Sequence, residues 1–471
     1  MKHLNWICGV LLLILFFLSL KTLTTFPDLF DDEGLYAAFA QALGETGKTH
    51  YLGYAVEAPY TQGNALVTHF HTGLYACIAK LFGYTFTSAR AVSFSLFLIS
   101  VLLWGFISRR IGFPVFIGTF LFASTERLFH ASHVFRPEIS LIFINCLYLF
   151  LFTNRPDAPL KPTTSFARGL FNSLFVIAHG NGIASVAINC YDMATRSFFT
   201  LKKHFLANGI YYCGSIIAVG LFYFFQVSSI GWSDFVLQLK AQPVQHKTFL
   251  ELIQTDIVLR WGRELVVVGG SLVAKFMRAY FYIVIFFTAA YSVAKLTTQA
   301  RQAGTMVFIC VLAYVFLIRD KVDIHIAEMM PFFLFSFMLY FVTLQKQKRS
   351  LLPGVLLVSL LLVNSFLTFH HVFKYAEKSI PEARVDILVN FLDQETIRPA
   401  SEYKIFVGKL TYWFQLHDRM QMIHQRFLEQ HLPFKGGVIA TDDVLELPFL
   451  IKNCKIDYTD PSGIFRAFYC P

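Results

Sequence analysis

Four carboxylates follow the first apolar run of this chain, in the stretch FPDLFDDEGLYAAFAQALGETG. They are Asp28, Asp31, Asp32 and Glu33. A helix that begins near Glu33 needs only one acidic side chain as a cap and to complement its dipole. The other acids are therefore candidates for chemistry, because a carboxylate beside a reacting hydroxyl can act as a general base.

A second acidic position lies in HVFRPEIS, where Glu138 follows Pro137 at the predicted start of an apolar helix. Pro followed by Glu is also a favourable helix start, and Arg136 could pair with Glu138 or with a lipid head group. Ionisable groups beside membrane segments are nevertheless functional candidates by default. The residues alone leave the structural and the functional interpretation open.

Histidines are the third group of residues that could do chemistry. His69 and His71, in VTHFHTGLY, could bind a metal ion together with carboxylates, although ordinary interfacial hydrogen bonding explains them as simply. His130 and His133 are spaced to share one helix face, and His179 lies in the turn-like stretch AHGNG. The sequence contains no GxGxxG, P-loop, CxxC or HExxH pattern.

The elements that must position these residues are predicted to be membrane helices. Of the 471 residues, 55% are hydrophobic and only 15% are charged, which is too apolar for a soluble globular protein. The net charge of +10 comes from bases that cluster in short loops between apolar runs. Membrane topology explains that charge better than a nucleic-acid partner does, and we expect none.

Apolar runs predict a polytopic α-helical membrane protein with about eleven transmembrane helices, several of them short. The predicted segments lie at about 5–22, 91–108, 112–124, 138–153, 168–179, 181–199, 205–225, 279–295, 304–318, 329–344 and 351–372. The first resembles a signal peptide, but it lacks an A-x-A-like cleavage site and is read as an uncleaved helix. A stretch at about 265–278 is predicted to be a separate interfacial helix.

The distribution of Lys and Arg predicts the orientation. With a cytoplasmic N-terminus, the basic loops all fall inside, as the positive-inside rule requires. Four regions then lie outside, namely the first loop 23–90, the stretch STERLFHASHVFRPE, about 226–278 and the stretch RDKVDIHIAE. The predicted domains are residues 1–373 in the membrane and 374–471 as a small extracytoplasmic α/β domain, since the tail alternates helix-like and strand-like stretches.

Cys454 and Cys470 are the only cysteines of this tail. If the tail lies outside the cytoplasm, its compartment permits a disulfide, which would tie the C-terminus to the domain. Two unpaired thiols remain the alternative, because the sequence gives no distance between them.

Four motifs in order along the chain resemble the glycosyltransferase C superfamily, and above all family 39 with the protein O-mannosyltransferases and aminoarabinose transferases. FDDEGLYAAFAQALGETG resembles the Asp-Glu-x-x-Tyr-Ala loop after the first helix, and HFHTGLYACIAKLFG resembles the segment that leads into the second. VFRPEIS resembles the Arg-Pro-Asp element, and LFVIAHGNGIAS resembles a turn written with His or Lys, then Pro or Asn, then Gly. The likeness covers the whole membrane region and the tail.

The resemblance implies that Asp32 is the catalytic base, that Glu33 supports it, and that Asp31 could replace it in a shifted register. Glu138 stands where relatives usually carry Asp, and His71 lies about where some carry the Lys of a Lys-Pro-Pro motif. A phosphate leaving group needs cations. The candidates for substrate and phosphate binding are Asp31, Arg136, His71, Arg260, Arg263, Arg319, Lys321 and His325.

The function expected from the resemblance is transfer of a hexose or pentose from a polyprenyl-phosphate donor to an acceptor hydroxyl at the outer face of a bacterial inner membrane. The acceptor would be a glycolipid, a polysaccharide or a protein. No cofactor is certain, and a divalent metal ion is the one candidate. A transporter or flippase of lipid-linked sugars is the alternative, although internal repeats and midplane charges typical of transporters are not evident. A non-catalytic assembly protein is a third interpretation.

Overall fold

The computed structural model of the chain describes most of the residues in the predicted membrane region and about two thirds of the tail. The described residues are 1–26, 31–49, 69–152, 161–197, 201–228, 230–241, 272–296, 298–316, 323–348, 351–376, 381–394, 402–408, 416, 419–424, 435–441 and 447–471.

Helices form most of the described chain up to residue 393. In order they are α1 (Lys2–Thr22), α2 (Asp31–Thr46), α3 (His69–Phe82), α4 (Phe86–Ile111), α5 (Val115–Ala123), α6 (Glu126–Ser132), α7 (Glu138–Phe152), α8 (Pro162–Ala178), α9 (Ile183–Ser197), α10 (Leu201–Phe222), α11 (Trp232–Ala241), α12 (Leu272–Lys295), α13 (Thr298–Phe316), α14 (Met330–Lys346), α15 (Leu351–Ala376) and α16 (Pro381–Asp393). Short 3-10 segments, Gly180–Gly182 and Asp323–Met329, precede α9 and α14.

Each of the eleven predicted membrane segments coincides with one of these helices. Among the described residues, six helices are long and apolar enough to cross a membrane, and α7 is a shorter apolar helix. The protein is therefore a helical membrane protein, while the number of spans stays a prediction. The separate interfacial helix predicted at 265–278 is wrong from Leu272 onward, because these residues form the first turns of the continuous helix α12.

The helix most enclosed by protein is α14, whose most apolar stretch is 94% buried. It packs against α12, α13 and α15 and belongs to one large apolar core with α4, α5 and α7. By contrast, α1 and α10 bury only 17% of their apolar windows, as expected for helices at the lipid boundary. The core therefore holds the ends of α7 and α14 in fixed positions, and the candidate site lies at those ends.

Local signals explain where the helices near the site begin. Thr85 and Ser88 form a reciprocal capping box that starts α4, because each hydroxyl accepts a backbone N–H of the other's residue. The chain enters α7 through Arg136 and Pro137, and Glu138 occupies its first turn, where a carboxylate complements the helix dipole.

The tail contains a mixed β-sheet. Its strands are β1 (Tyr403–Gly408), β2 (Gln421–His424), β3 (Gly436–Thr441), β4 (Lys455–Thr459) and β5 (Phe465–Cys470), and the helix α17 (Leu447–Asn453) precedes β4. Within the described residues the strand order is β2-β1-β3-β5-β4. The strand β1 runs parallel to β2 and to the central strand β3, whereas β5 runs antiparallel to β3 and β4. The predicted α/β character of the tail is therefore confirmed.

The tail and the loop after α1 share one apolar core. A single cluster of buried side chains contains Ala38 and Tyr75, from α2 and α3, as well as Phe391 and Phe465, from α16 and β5. The two regions therefore lie on the same side of the membrane helices. The predicted disulfide is also confirmed, since Cys454 and Cys470 are bonded with a Cα–Cα distance of 4.3 Å.

Candidate active site

Arg136 connects the two acidic positions that the sequence singled out. Its Nη1 lies 3.2 Å from Oδ2 of Asp32, and its Nη2 lies 2.8 Å from Oε1 of Glu138. The side chain of Asp32 is 40% exposed, whereas that of Glu138 is fully buried. The site therefore has one accessible carboxylate at its surface and one carboxylate beneath it, with a guanidinium between them.

Neighbouring carboxylates stabilise the positive charge of Arg136. Burial works against the charged form, but the carboxylates of Glu138 and Asp32 outweigh it and hold the pKa of Arg136 above its usual range. Tyr36 lies one turn after Asp32 on α2. Burial raises the pKa of Tyr36, so its hydroxyl remains protonated and can donate a hydrogen bond.

Glu33 has a different environment from its neighbour Asp32. Its carboxylate is fully buried and accepts hydrogen bonds from Nε and Nη2 of Arg90, at 3.0 and 2.9 Å. It also accepts the backbone N–H of Phe135 at 2.8 Å. Arg90 in turn donates to the carbonyls of Leu23 and Phe26, at the end of α1. Glu33 therefore anchors the start of α2 to α4 and to the Arg136 segment, which positions Asp32.

His71 lies beneath the site and is fully buried. Its Nδ1 lies 2.9 Å from Oγ of Ser140 on α7, and its ring lies 4.5 Å from the ring of Phe135. Burial lowers the pKa of His71 to about 3, and the charge of Glu138 opposes this shift. A neutral imidazole is a poor substitute for a Lys that binds phosphate, so any contact of His71 with substrate would be a hydrogen bond.

Two further side chains, those of His179 and Glu328, complete this cluster of charged groups. Nδ1 of His179 lies 2.9 Å from Oε1 of Glu328, and one donor atom each of Glu138, His179 and Glu328 lies within 4.8 Å of the other two. Among the described residues, this trio has the geometry that could hold a metal ion. It contains neither His69 nor His71, the two histidines that the sequence suggested as metal ligands.

The backbone around this trio is fixed by packing and by hydrogen bonds. Asn145 on α7 donates to the carbonyl of Glu328 at 2.8 Å, and Ser185 donates to Oδ1 of Asn145 at 2.8 Å. In the turn that carries His179, a Cβ atom at Gly182 would collide with the carbonyl of Phe175. The backbone at residue 182 can lie this close to Phe175 only because the residue is glycine. The resulting turn places His179 beside Glu328.

Several predicted site residues lie outside what the structure describes. Arg260, Arg263, Arg319 and Lys321 fall outside the described residues, and for Asp31 and His325 only the backbone assignment is described. His69 is the first residue of α3 and is half-buried. Apart from His69, which was a metal candidate, the substrate- and phosphate-binding roles expected of these residues therefore remain predictions.

Sequence reasoning did not assign a role to Arg90, Tyr36 or Glu328. Glu328 had a weak signal, because it is an acid immediately before an apolar segment, as Glu138 is. Arg90 lies at the start of the second predicted membrane segment, where a positive charge resembles ordinary membrane-end patterning. Only the fold shows that it pairs with Glu33.

This arrangement can move a proton and stabilise negative charge. Asp32 offers an accessible acceptor for the proton of a hydroxyl, and Arg136 and Tyr36 offer donors to an anion at the same place. The buried Glu138 fixes the guanidinium that lies between the two carboxylates.

Neither a protein-family model nor a curated protein matches this chain. Solved structures do match this chain. ArnT from Cupriavidus metallidurans bound to undecaprenyl phosphate matches with a TM-score of 0.59 and 11% sequence identity, over 98% of this chain and 97% of that chain. Its apo form matches with a TM-score of 0.58 and 12% identity, over 99% and 98% of the two chains.

An archaeal oligosaccharyltransferase, AglB from Archaeoglobus fulgidus in complex with an inhibitory peptide and a dolichol-phosphate, matches with a TM-score of 0.47 and 12% identity, over 98% of this chain and 74% of that chain. No argument is based on this weaker likeness. The two ArnT structures cover nearly the full length of both chains, including the tail. The fold implied by the resemblance to the glycosyltransferase C superfamily is thus confirmed, and this chain has the overall fold of ArnT.

Proposed function

We propose that this protein transfers a sugar from a polyprenyl-phosphate donor to an acceptor hydroxyl, with Asp32 as the general base. The observation that carries the proposal is the bridge of Arg136 between the accessible Asp32 and the buried Glu138. The fold supports it, since the similar ArnT was solved with undecaprenyl phosphate bound.

The proposed reaction involves the acceptor, the lipid-linked donor and three side chains of the protein. The acceptor oxygen attacks the anomeric carbon of the donor sugar, and its proton passes to the carboxylate of Asp32. The bond between the anomeric carbon and the phosphate oxygen breaks, and the electron pair leaves with the polyprenyl phosphate. Arg136, with Tyr36 as a hydrogen-bond donor, would stabilise the charge that develops on the phosphate.

Further contacts to the donor would come from residues that remain predictions. Arg260, Arg263, Arg319, Lys321 and His325 would supply charge or hydrogen bonds to the phosphate, and Asp31 would take part beside Asp32. The sugar would be a hexose or a pentose, and the acceptor a glycolipid, a polysaccharide or a protein. The long lipid tail of the donor would stay in the bilayer, which explains why such an enzyme would be built from membrane helices.

We also propose that the site faces the outer side of a bacterial inner membrane, with the N-terminus in the cytoplasm. The positive-inside pattern of the loops supports this orientation. The disulfide of the tail supports it as well, because such bonds persist in oxidising compartments. The apolar core shared by the tail and α2 extends that argument to Asp32.

A deletion strain tests the proposal. Mass spectrometry of its envelope glycolipids, polysaccharides and glycoproteins should show the loss of one sugar modification and the accumulation of its unmodified acceptor. Wild-type protein should restore the modification, and Asp32→Asn should not. Asp393→Asn is the matched control, because Asp393 forms an exposed ion pair with Arg419 in the tail. Full restoration by Asp32→Asn would contradict the role of Asp32.

The transporter alternative predicts a different result. In proteoliposomes, a flippase would move the lipid-linked sugar between leaflets and leave the bond between sugar and phosphate intact. The proposed enzyme, given an acceptor, would cleave that bond and release the polyprenyl phosphate, which chromatography of the extracted lipids detects.

A further inference from the structure

The segment that connects α5 to α7 carries Arg136 close to its end. We call residues 125–137 the strap, and it includes the short helix α6. Helix α6 contacts α4, α7 and α15, as well as the 3-10 segment Asp323–Met329 that carries Glu328. The N–H of Phe135 donates to Glu33 on α2. The strap therefore contacts all three elements that supply carboxylates to the candidate site.

Polar contacts hold the end of the strap that lies at the site. Nε2 of His133 lies 3.3 Å from the carbonyl oxygen of Ser19 on α1, and the N–H of Phe135 lies 2.8 Å from the carboxylate of Glu33. Arg136 follows directly and forms its two ion pairs. All of these contacts depend on the position of the strap as a whole.

An ion pair with α12 holds the other end of the strap. Nε of Arg278 lies 2.7 Å from Oε2 and 3.1 Å from Oε1 of Glu126, and Nη2 of Arg278 also donates to Oε1. Both side chains are largely buried. A guanidinium that offers two donors to one carboxylate fixes the orientation of the pair as well as its distance.

Close packing alone does not fix this end of the strap. A cavity lies beside the ion pair, and its lining includes Thr125, Tyr282 and Asn364. On α12, Phe276 is exposed, as expected at the lipid boundary, whereas Arg278 is buried against the strap. The ion pair is therefore a direct polar link between a helix at the lipid boundary and the segment that carries Arg136.

We propose that Glu126 and Arg278 are positioning residues, whose ion pair holds the strap where Arg136 reaches Asp32 and Glu138. The kinetic part rests on the proposed function. Loss of the ion pair would displace the guanidinium that stabilises the leaving phosphate, so the transition state would lose more than the bound substrate does. The competing explanation is local, since an acidic residue in the first turn also stabilises α6 itself.

Hydrogen exchange of the purified full-length protein in detergent, followed by mass spectrometry, separates these explanations without any substrate. The N–H groups of His133, Phe135 and Arg136 report on the strap beside the site, because each is hydrogen-bonded. In Glu126→Gln they should exchange about 10-fold or more faster than in the wild type. If the ion pair stabilises only α6, the faster exchange should end at Ser132.

Asp192→Asn is the matched control, because Asp192 forms a buried ion pair with Arg168. Arg168 also donates to the carbonyl of Phe152, at the end of α7 that lies away from the site. Asp192→Asn should lower the thermal midpoint but leave exchange of residues 133–136 unchanged. Glu126→Asp keeps the charge and should restore part of the protection.

A kinetic measurement distinguishes positioning from a general loss of stability. Envelope extracts of the deletion strain supply both the donor and the unmodified acceptor. With these extracts, Glu126→Gln and Arg278→Lys should lower kcat by about 10- to 100-fold with little change in KM, because a small misplacement acts mainly on the transition state. Asp192→Asn, measured below its thermal midpoint, should keep the wild-type kcat.

Unchanged exchange of residues 133–136 in both Glu126→Gln and Arg278→Lys would overturn the proposal. A wild-type kcat in both variants would overturn it as well. A wild-type protein that transfers no sugar from these extracts would instead contradict the proposed function, and the exchange measurement would still decide whether the ion pair positions Arg136.

Discussion

Nη1 of Arg136 lies 3.2 Å from Oδ2 of Asp32, and this ion pair joins the loop after α1 to the start of α7. Nη2 of the same guanidinium forms an ion pair with the buried carboxylate of Glu138. A planar guanidinium can serve two carboxylates at once, which an ammonium group does less well. The position of the proposed base thus depends on a residue far from it in sequence.

Asp32→Asn should abolish most of the transfer without unfolding the protein. The amide keeps the size of the side chain and can still bond to solvent, but it cannot accept the proton. Turnover should fall by roughly 10²-fold or more, the usual scale of general-base catalysis. The measurement is the initial rate with a defined lipid-linked donor, beside the thermal midpoint of the same preparation. Near wild-type turnover would shift the role of base to Asp31, the next variant to test.

Arg136→Lys should lower activity although it keeps the positive charge. A lysine ammonium cannot reach Asp32 and Glu138 with two fixed donors, so Asp32 loses its orientation. Arg136→Ala should also destabilise the protein by about 3–5 kcal/mol, because it leaves the buried Glu138 uncompensated. Comparing the stability of Arg136→Ala with that of Arg136→Ala/Glu138→Gln checks the second part. Equal stability of the single and double variants would argue against the charge explanation.

Glu33→Ala should act on folding more than on chemistry. The change leaves Arg90 buried without its carboxylate and leaves the N–H of Phe135 without its acceptor. A loss of about 3–5 kcal/mol of stability is expected, seen as poor expression and a lower thermal midpoint in detergent. Asp32→Asn provides the comparison, since its partly exposed side chain should cost far less stability. A normal midpoint for Glu33→Ala would contradict the anchoring role.

His133 should make the protein less stable in acid. Burial lowers the pKa of His133 to about 3, so the folded protein keeps this imidazole neutral while the unfolded chain protonates it near pH 6.5. The unfolded state then binds more protons between about pH 6.5 and pH 3, and stability falls as the pH falls through that window. His133→Gln should reduce the slope by up to about 1.4 kcal/mol per pH unit.

The measurement for His133 is the thermal midpoint as a function of pH for the wild type and for His133→Gln. His370→Gln serves as the control, because His370 is exposed on α15. An unchanged acid slope in His133→Gln would show that this imidazole does not stay neutral in the folded protein.

Reduction of the disulfide should destabilise the tail. A bridge across 16 positions contributes about 3 kcal/mol in the chain-entropy model, so Cys454→Ser/Cys470→Ser should unfold the tail at a lower temperature. Protein from intact, thiol-blocked cells should carry no label on these two cysteines until it is reduced. Labelling without reduction would contradict both the bridge and the outer location of the tail.

The sequence predicted the helical membrane architecture, the α/β tail and the disulfide, because hydropathy and cysteine placement are local signals. It also drew attention to the acids around Asp32 and to Arg136 and Glu138, because acids and bases beside apolar runs are unusual, and the family resemblance implied that Asp32 is the base. It could not predict that Glu33 pairs with Arg90, or that Glu328 meets His179. Those pairs depend on how α4 and α14 pack against the rest, and packing between distant helices leaves no local pattern.

The apolar core shared by α2, α3, α16 and β5 has a consequence for biosynthesis. The strand β5 is synthesised after every other element of this core, and it carries Cys470, which pairs with Cys454. The helix that carries Asp32 therefore gains its full apolar cover only after β5 has been synthesised and has joined the sheet. Chains truncated before β5 would hold the membrane helices without the full apolar cover of α2, the helix that positions the proposed base.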